Sequence, residues 1–377
     1  MRSPTCKRPE IQGCRVRFAA HLEMKKGGNM SNNYFERVSS GTPTNLWVNN
    51  VTREEARAGV AAGAVGCTQN PSFPWKILKS DTDSAYANEL LDDILARESD
   101  DDRAIEILQF ELVREICRIF LPMHEASGGK QGWVSIQGNP FKEDVKSMID
   151  FAHYHRTAAL NAIIKIPVTK DGLKAMRILI AEGVPILGTE VMSIDQAISI
   201  CELYKEVSHG MKNPPVMYLA HIAGIFDEHL QAVVKDGNID VNSDALWQAG
   251  IAVAKKMHQV MESRQYGVKF LSGGARGLHH FTEMVGARAD VTINWKGTAD
   301  KLIEQDGPVV QRFLAPVPFN VTDELQNKIE HFRQAYNPGS LKEEDYESFG
   351  SVVRFRTSFE SAWLKCRQYV GERRTRS

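Results

Sequence analysis

Eight short apolar runs recur along the chain, at 46–51, 64–69, 133–138, 161–167, 186–191, 216–222, 268–273 and 290–294. Runs of about four to eight apolar residues closed by turn residues read as strands buried on both faces of a parallel sheet. The stretches between them carry helical spacing, at 52–63, 103–125, 142–156, 170–182, 194–208, 243–264 and 277–286. In the fourth of these, Leu173, Met176, Leu179 and Ile180 fall on one stripe, as in a helix lying on a sheet. Two further helices are predicted after the last strand, near 322–335 and 341–367. Alternating strands and helices joined by right-handed crossovers fit an α/β fold of the (β/α)8 TIM-barrel type with additional C-terminal helices. A doubly wound open sheet is the runner-up. It lacks a glycine-rich fingerprint after a first strand: Gly273-Gly274-Ala-Arg-Gly277 falls on the seventh.

Composition narrows the class. The chain has 377 residues, with 46 Lys and Arg against 47 Asp and Glu. That near-neutral balance gives no electrostatic footprint for nucleic acid. No apolar stretch reaches the length of a membrane-spanning helix. The six cysteines, Cys6, Cys14, Cys67, Cys117, Cys201 and Cys366, are scattered and form no C-x-x-C pair. They read as reduced, mostly buried thiols, with the cytoplasm as the expected location. The histidine pairs His153/His155 and His279/His280 lack the spacing of a zinc helix and read as surface or capping residues, so no metal is expected.

The ends differ from the middle. Residues 1–40 carry Arg2, Lys7, Arg8, Arg15, Arg17, Lys25 and Lys26, few acids and little periodicity. They read as a disordered leader, or an upstream extension with the natural start at Met30; a targeting presequence fits less well because serine is sparse. Residues 41–370 are expected to form the single barrel domain, and 371–377 a solvated basic tail.

The most informative residue is Lys165, inside Asn161-Ala-Ile-Ile-Lys-Ile-Pro-Val-Thr169. Burying an unpaired ammonium is costly, and the same cost lowers its pKa until a neutral amine can attack a carbonyl. A structural ion pair with an inward carboxylate is the bland alternative. Other polar groups gather at the same strand ends: Asn49 on the first strand, Thr68 and Asn70 on the second, and Ser135 and Gln137 on the third. Thr189 follows on the fifth, Ala220 occupies the sixth, Gly274 and Arg276 follow the seventh, and Asn294 closes the eighth. Each alone reads as a cap or turn former. Their convergence on one inward lysine is the functional signal.

These residues make the chain recognisable. Leu46-Trp-Val-Asn-Asn-Val51, Gly66-Cys-Thr-Gln-Asn-Pro-Ser72, Ile164-Lys-Ile-Pro-Val-Thr-Lys-Asp-Gly-Leu-Lys-Ala175 and Ala181-Glu-Gly-Val-Pro-Ile-Leu-Gly-Thr189 resemble the transaldolase family and its fructose-6-phosphate aldolase branch. The resemblance runs from about Asn45 into the C-terminal helices. It implies a Schiff-base nucleophile at Lys165, a substrate hydroxyl contact at Asn70, a water-holding Thr189 and a phosphate-binding Arg276. It also implies further contacts at Thr68, Ala220 and Gly274. A ketose or ketose phosphate would be cleaved through a lysine-bound dihydroxyacetone enamine, with transfer to an acceptor aldehyde or release, and no cofactor.

The departures fall at the acids. Transaldolases have an aspartate where this chain has Asn49 and a proton-shuttling glutamate where it has Gln137. An amide orients water but is neither acid nor base at neutral pH. Gln137 with Ala220 matches the aldolase branch, whose tyrosine acid is here Ile222, and the second phosphate arginine is replaced by Ile225. His221 and Glu190 are nearby candidates for proton transfer, but strand alternation points both away from the interior. A water held by Gln137 and Thr189 is the remaining relay. The alternative function is a non-catalytic sugar-binding barrel that has lost its acid/base groups. Whether the C-terminal helices cover the mouth or pair with a second copy, periodicity does not choose.

Overall fold

The computed structural model describes residues 32–375. Eight parallel strands close into one barrel in sequence order. They are β1 (Asn45–Asn49), β2 (Gly66–Thr68), β3 (Trp133–Gln137), β4 (Ala162–Pro167), β5 (Ile186–Val191), β6 (Met217–His221), β7 (Lys269–Ser272) and β8 (Asp290–Asn294). Every residue of β3, β4, β5 and β6 is buried, because helices cover the outer face and side chains fill the inner one. At the N-terminal end the interior is plugged by Trp47 and Tyr218, ring centroids 5.2 Å apart. Gly66 opens β2 for this reason: a Cβ there would lie 2.3 Å from the Trp47 ring.

The helices depart from expectation where a local stop intervenes. The stretch 243–264 divides at Gln248 into Ser243–Trp247 and Ala249–Arg264. The stretch 322–335 divides at Ile329, whose φ of −122° and ψ of 105° are extended, into Phe319–Lys328 and Glu330–Tyr336. Of 277–286 only His279–Thr282 is helical. The helix Ala223–Asp236, between β6 and Ser243–Trp247, carries no sequence expectation at all.

Both assigned ends need correction. Residues 1–31 lie outside the described residues, and with them most of the basic leader, Cys6 and Cys14. Its last part is folded: Tyr34–Gly41 is a helix started by an Asn33/Glu36 capping box. Tyr34, Phe35 and Val38 are buried, and Phe35 meets Phe281 edge-on at 4.9 Å. The basic tail is not a free appendage either. The last helix runs Gly350–Arg374, and Arg374 pairs with Asp101 at 2.9 Å and Arg373 with Asp92. Asp101 and Asp102 open the helix Asp101–Ala126, where acids also suit the helix dipole.

This last helix positions the site. Val352, Phe355, Phe359, Trp363, Cys366 and Val370 form its buried stripe at helical spacing. Trp363 sits on Asp101–Ala126, its indole N–H donating to Asp102 Oδ1 at 2.8 Å. One turn further in, Phe359 and Phe355 reach over the C-terminal mouth of the barrel. Cys67, Cys117, Cys201 and Cys366 are all buried and free. Among the described residues no helix is long and apolar enough to cross a membrane.

Candidate active site

Lys165 stands on β4 with Gln137 of β3 and Leu187 of β5 as its register partners. Its side chain is buried, and its nitrogen lies 5.9 and 5.8 Å from the Phe355 and Phe359 ring centroids. Burial pushes its pKa down to about 8, against the pull of the Glu190 carboxylate. Among the described residues it has no carboxylate within the 4.0 Å of an ion pair; the Glu190 charge acts on it from farther away.

Two cavities meet at this lysine. One, of about 500 Å³, is the barrel mouth, lined by Asn49, Thr68, Asn70, Ala220, Gly274 and Arg276, with Lys296 and the Phe355/Phe359 face of the last helix. The other, of about 230 Å³, opens beside β3 and is lined by Gln137, Asn139, Glu143 and His155. Of the expected residues, Lys165 lines both cavities, Gln137 only the second, and Thr189 is fully buried beside Pro167 of β4.

The mouth is wired by amides and hydroxyls. Thr68 Oγ1 donates to Asn49 Oδ1 at 2.9 Å, and Asn49 Nδ2 donates to Asn294 Oδ1 at 3.0 Å. Asn49 is thus engaged on both sides and carries no charge. Asn70 Oδ1 accepts from Asn50 Nδ2 and Ser72 N–H, which leaves its Nδ2 to meet a ligand. Gly274 has φ 69°, and a Cβ there would lie 2.5 Å from Ile222 Cγ2, so the loop after β7 packs on the two isoleucines that replace polar groups. Arg276 is exposed and already holds Glu228 at 2.6 Å. A phosphate at this position competes with Glu228 for the guanidinium.

Two histidine readings change. His280 is buried, with its Nδ1 3.3 Å from the Arg276 N–H and its Nε2 2.9 Å from Asp227 Oδ2. Asp227, His279 and His280 have metal-like spacing. An Nδ1 that accepts leaves the proton on Nε2, so the ring donates to the carboxylate and braces the Arg276 loop instead. His155 is likewise buried, and burial drives its pKa to about 3. His153, paired with Glu182, is on the surface as expected. His221 faces away from the mouth, its two nitrogens on the Val191 and Gly250 carbonyls.

Glu190 is the main correction. Regular alternation would turn it outward, but the β5–β6 register slips between Gly188 and Val191, and Glu190 takes a φ of 61°. This bulge carries its carboxylate across β4, where Oε1 accepts from Gln137 Nε2 at 3.1 Å. Gln196 fixes the kinked backbone, donating to the Glu190 and Val168 carbonyls and accepting the Met192 N–H. Burial pushes the Glu190 pKa up to about 7, against Lys165, Arg356 and the Gln137 hydrogen bond. Burial and the Glu190 charge together push Glu143 up to about 9. The signal in the sequence was the one that exposed Lys165, an ionisable residue closing an apolar strand; the slip in register hid its direction.

A stability prediction follows from Glu190. Its folded-state pKa lies above the unfolded value, so stability falls as pH rises from about 4.5 to about 7. Glu190→Gln removes that loss and is expected to raise the melting temperature more at pH 8 than at pH 5. Equal gains at both pH values by calorimetry would mean that the carboxylate is not held protonated.

With fold and site in place, the family profile and the curated relatives agree on one class of protein. The profile of the family described as Transaldolase/Fructose-6-phosphate aldolase matches residues 46–338. A transaldolase of Thiobacillus denitrificans is 27% identical over 251 residues, 62% of this chain and 68% of the relative. A transaldolase of Frankia alni is 27% identical over 291 residues, 74% of this chain and 71% of the relative. One of Mycobacterium ulcerans is 31% identical over 175 residues, 44% and 46% of the two chains. A solved aldo-keto reductase from a Medee basin deep-sea metagenome covers 76% of this chain and 90% of its own at 10% identity and TM-score 0.33, a likeness too slight to bear on fold or function. The class is that of aldolase- and transferase-type barrel enzymes. The chain belongs to the transaldolase/fructose-6-phosphate aldolase family.

Proposed function

We propose that the protein is a Schiff-base enzyme that cleaves a ketose through a dihydroxyacetone enamine held on Lys165. The observation that carries this reading is the lysine itself: buried, without an ion-pair partner, its pKa brought down to about 8, at the mouth of a cavity lined by hydrogen-bonding groups. A fraction of the amine is therefore neutral near pH 7 and nucleophilic.

The lysine lone pair attacks the ketose carbonyl carbon, the π pair moves to oxygen, and a proton passes from nitrogen to oxygen. Protonation of the resulting hydroxyl expels water and leaves a C=N⁺ iminium. Loss of the proton from the hydroxyl on the carbon beyond the scissile bond then breaks the carbon–carbon bond. Its electron pair moves toward nitrogen, releasing an aldehyde and leaving the enamine. Capture of the enamine by a second aldehyde gives transfer; protonation and hydrolysis give free dihydroxyacetone. The Asn70 amide donor suits a substrate hydroxyl, and Phe355 and Phe359 keep bulk water from the cation.

The cationic end of the mouth, Arg276 with Lys296, suits a phosphate on the far end of the sugar. Arg276→Ala is expected to raise the Michaelis constant for fructose 6-phosphate about tenfold or more relative to that for fructose. An equal change for both sugars in steady-state assays would assign the arginine to structure.

A further inference from the structure

Glu190 holds three properties that packing alone does not explain. It is a non-glycine residue in the left-handed region, a conformation that costs on the order of 1–3 kcal/mol and persists where surroundings enforce it. It is a fully buried carboxylate, yet Oε2 has no hydrogen-bond partner. The groups around it are also incompletely satisfied: Gln137 Oε1 and Thr189 Oγ1 are buried without partners. An apolar residue at position 190 would spare the cost of burying this acid, so packing alone does not select it.

We propose that Glu190, brought inward by the β5 bulge, is the proton donor and acceptor of the Lys165 reaction, acting through a water that Gln137 Oε1 and Thr189 Oγ1 can hold. This rests on the Schiff-base reading above. Protonated Glu190 supplies the proton that expels the carbinolamine hydroxyl as water, and becomes a carboxylate as the iminium forms. That carboxylate takes the proton of the substrate hydroxyl as the carbon–carbon bond breaks, which restores the acid and leaves a neutral enamine. The charge alternates between iminium and carboxylate, so the pocket never carries a lone buried charge. Gln137 then serves as a positioning residue, its N–H fixing Oε1 and leaving Oε2 for the water.

The charged and titratable groups facing Glu190 are Lys165 on β4, Glu143 after β3, and Arg356 with Glu347 around the last helix. Arg356 lies 3.7 Å from Glu143 and 2.7 Å from Glu347. Glu143 is held protonated through neutral pH, so Glu190 is the acid of the cluster that changes state there.

The test uses dihydroxyacetone as the probe and two readouts on the full chain. Borohydride trapping reports the Schiff base. Exchange of the carbon-bound protons in deuterated water, followed by NMR across pH, reports proton transfer to and from the iminium. Glu190→Gln is expected to accumulate the trapped adduct more slowly, reaching it only on long incubation, and to lose about 100-fold or more in exchange, with the limb set by the acid absent from the pH profile. Gln137→Glu/Glu190→Gln, which moves the carboxylate across one hydrogen bond, is expected to recover part of the rate and the limb. Exchange in Glu190→Gln within about threefold of wild type, with the same pH profile, overturns the proposal. So does a wild type that traps dihydroxyacetone without exchanging its protons. A wild type that neither traps nor exchanges refutes the Schiff-base reading instead.

Discussion

Lys165→Ala is expected to lower turnover of a ketose substrate by about 10⁴-fold or more, the scale seen when a covalent nucleophile is removed. The loss should fall on kcat, with sugar binding retained, because the hydroxyl contacts at the mouth belong to other strands. Asn70 is on the loop after β2, and the Thr68–Asn49–Asn294 chain spans β2, β1 and β8. The pH dependence gives a second handle. The neutral amine is lost as pH falls below about 8, so Lys165 contributes to the acid side of the wild-type pH profile. Stopped-flow turnover with isothermal titration of the sugar separates the two effects. A variant that keeps kcat would remove Lys165 from the chemistry whatever the resemblance of its surroundings.

Trp363→Ala is expected to destabilise the fold by about 3–5 kcal/mol, the cost of emptying a fully buried aromatic site. The indole also satisfies Asp102, so the variant strips a hydrogen bond from an acid whose remaining side-chain partner among the described residues is the more distant Arg367, at 3.7 Å. The consequence should reach the site, since Phe355 and Phe359 share the same helix and shield the lysine. Water admitted there raises the effective dielectric and lets the Lys165 pKa move back toward its ordinary value. Denaturant titration gives the stability, and the acid limb of the pH–rate profile should shift upward in the same variant. A loss below about 1 kcal/mol with an unmoved profile would mean that the last helix is not what seals the mouth.

How far the sequence alone leads depends on the kind of order each segment has. Buried strands are written in composition, so the run at 161–167 located β4 and its lysine directly. Polar rim residues such as Asn70 and Thr68 were legible because Pro71 stops the strand beside them. Glu190 was not, because a period-2 reading assumes an unbroken register and one extra residue in β5 reverses every direction after it. The Ser193-x-x-Gln196 capping box marks the following helix start, but nothing in it says that Gln196 also braces the bulge. The last helix was visible as an apolar stripe, while its place over the mouth depends on tertiary partners such as Asp102 and Asn88. Arg276 lines the mouth after β7, and only the fold discloses that Glu228 already occupies it.

The central claim is that Lys165 forms a covalent imine with a ketose, and reduction captures that imine. Wild type and Lys165→Ala would each be incubated with dihydroxyacetone and with fructose 6-phosphate, treated with borohydride and weighed intact. The expected result is a reduced three-carbon adduct on the wild type with either sugar, mapped to Lys165 by peptide sequencing and missing from the variant. An unmodified wild type with both sugars, or an adduct that persists in Lys165→Ala, would contradict the claim.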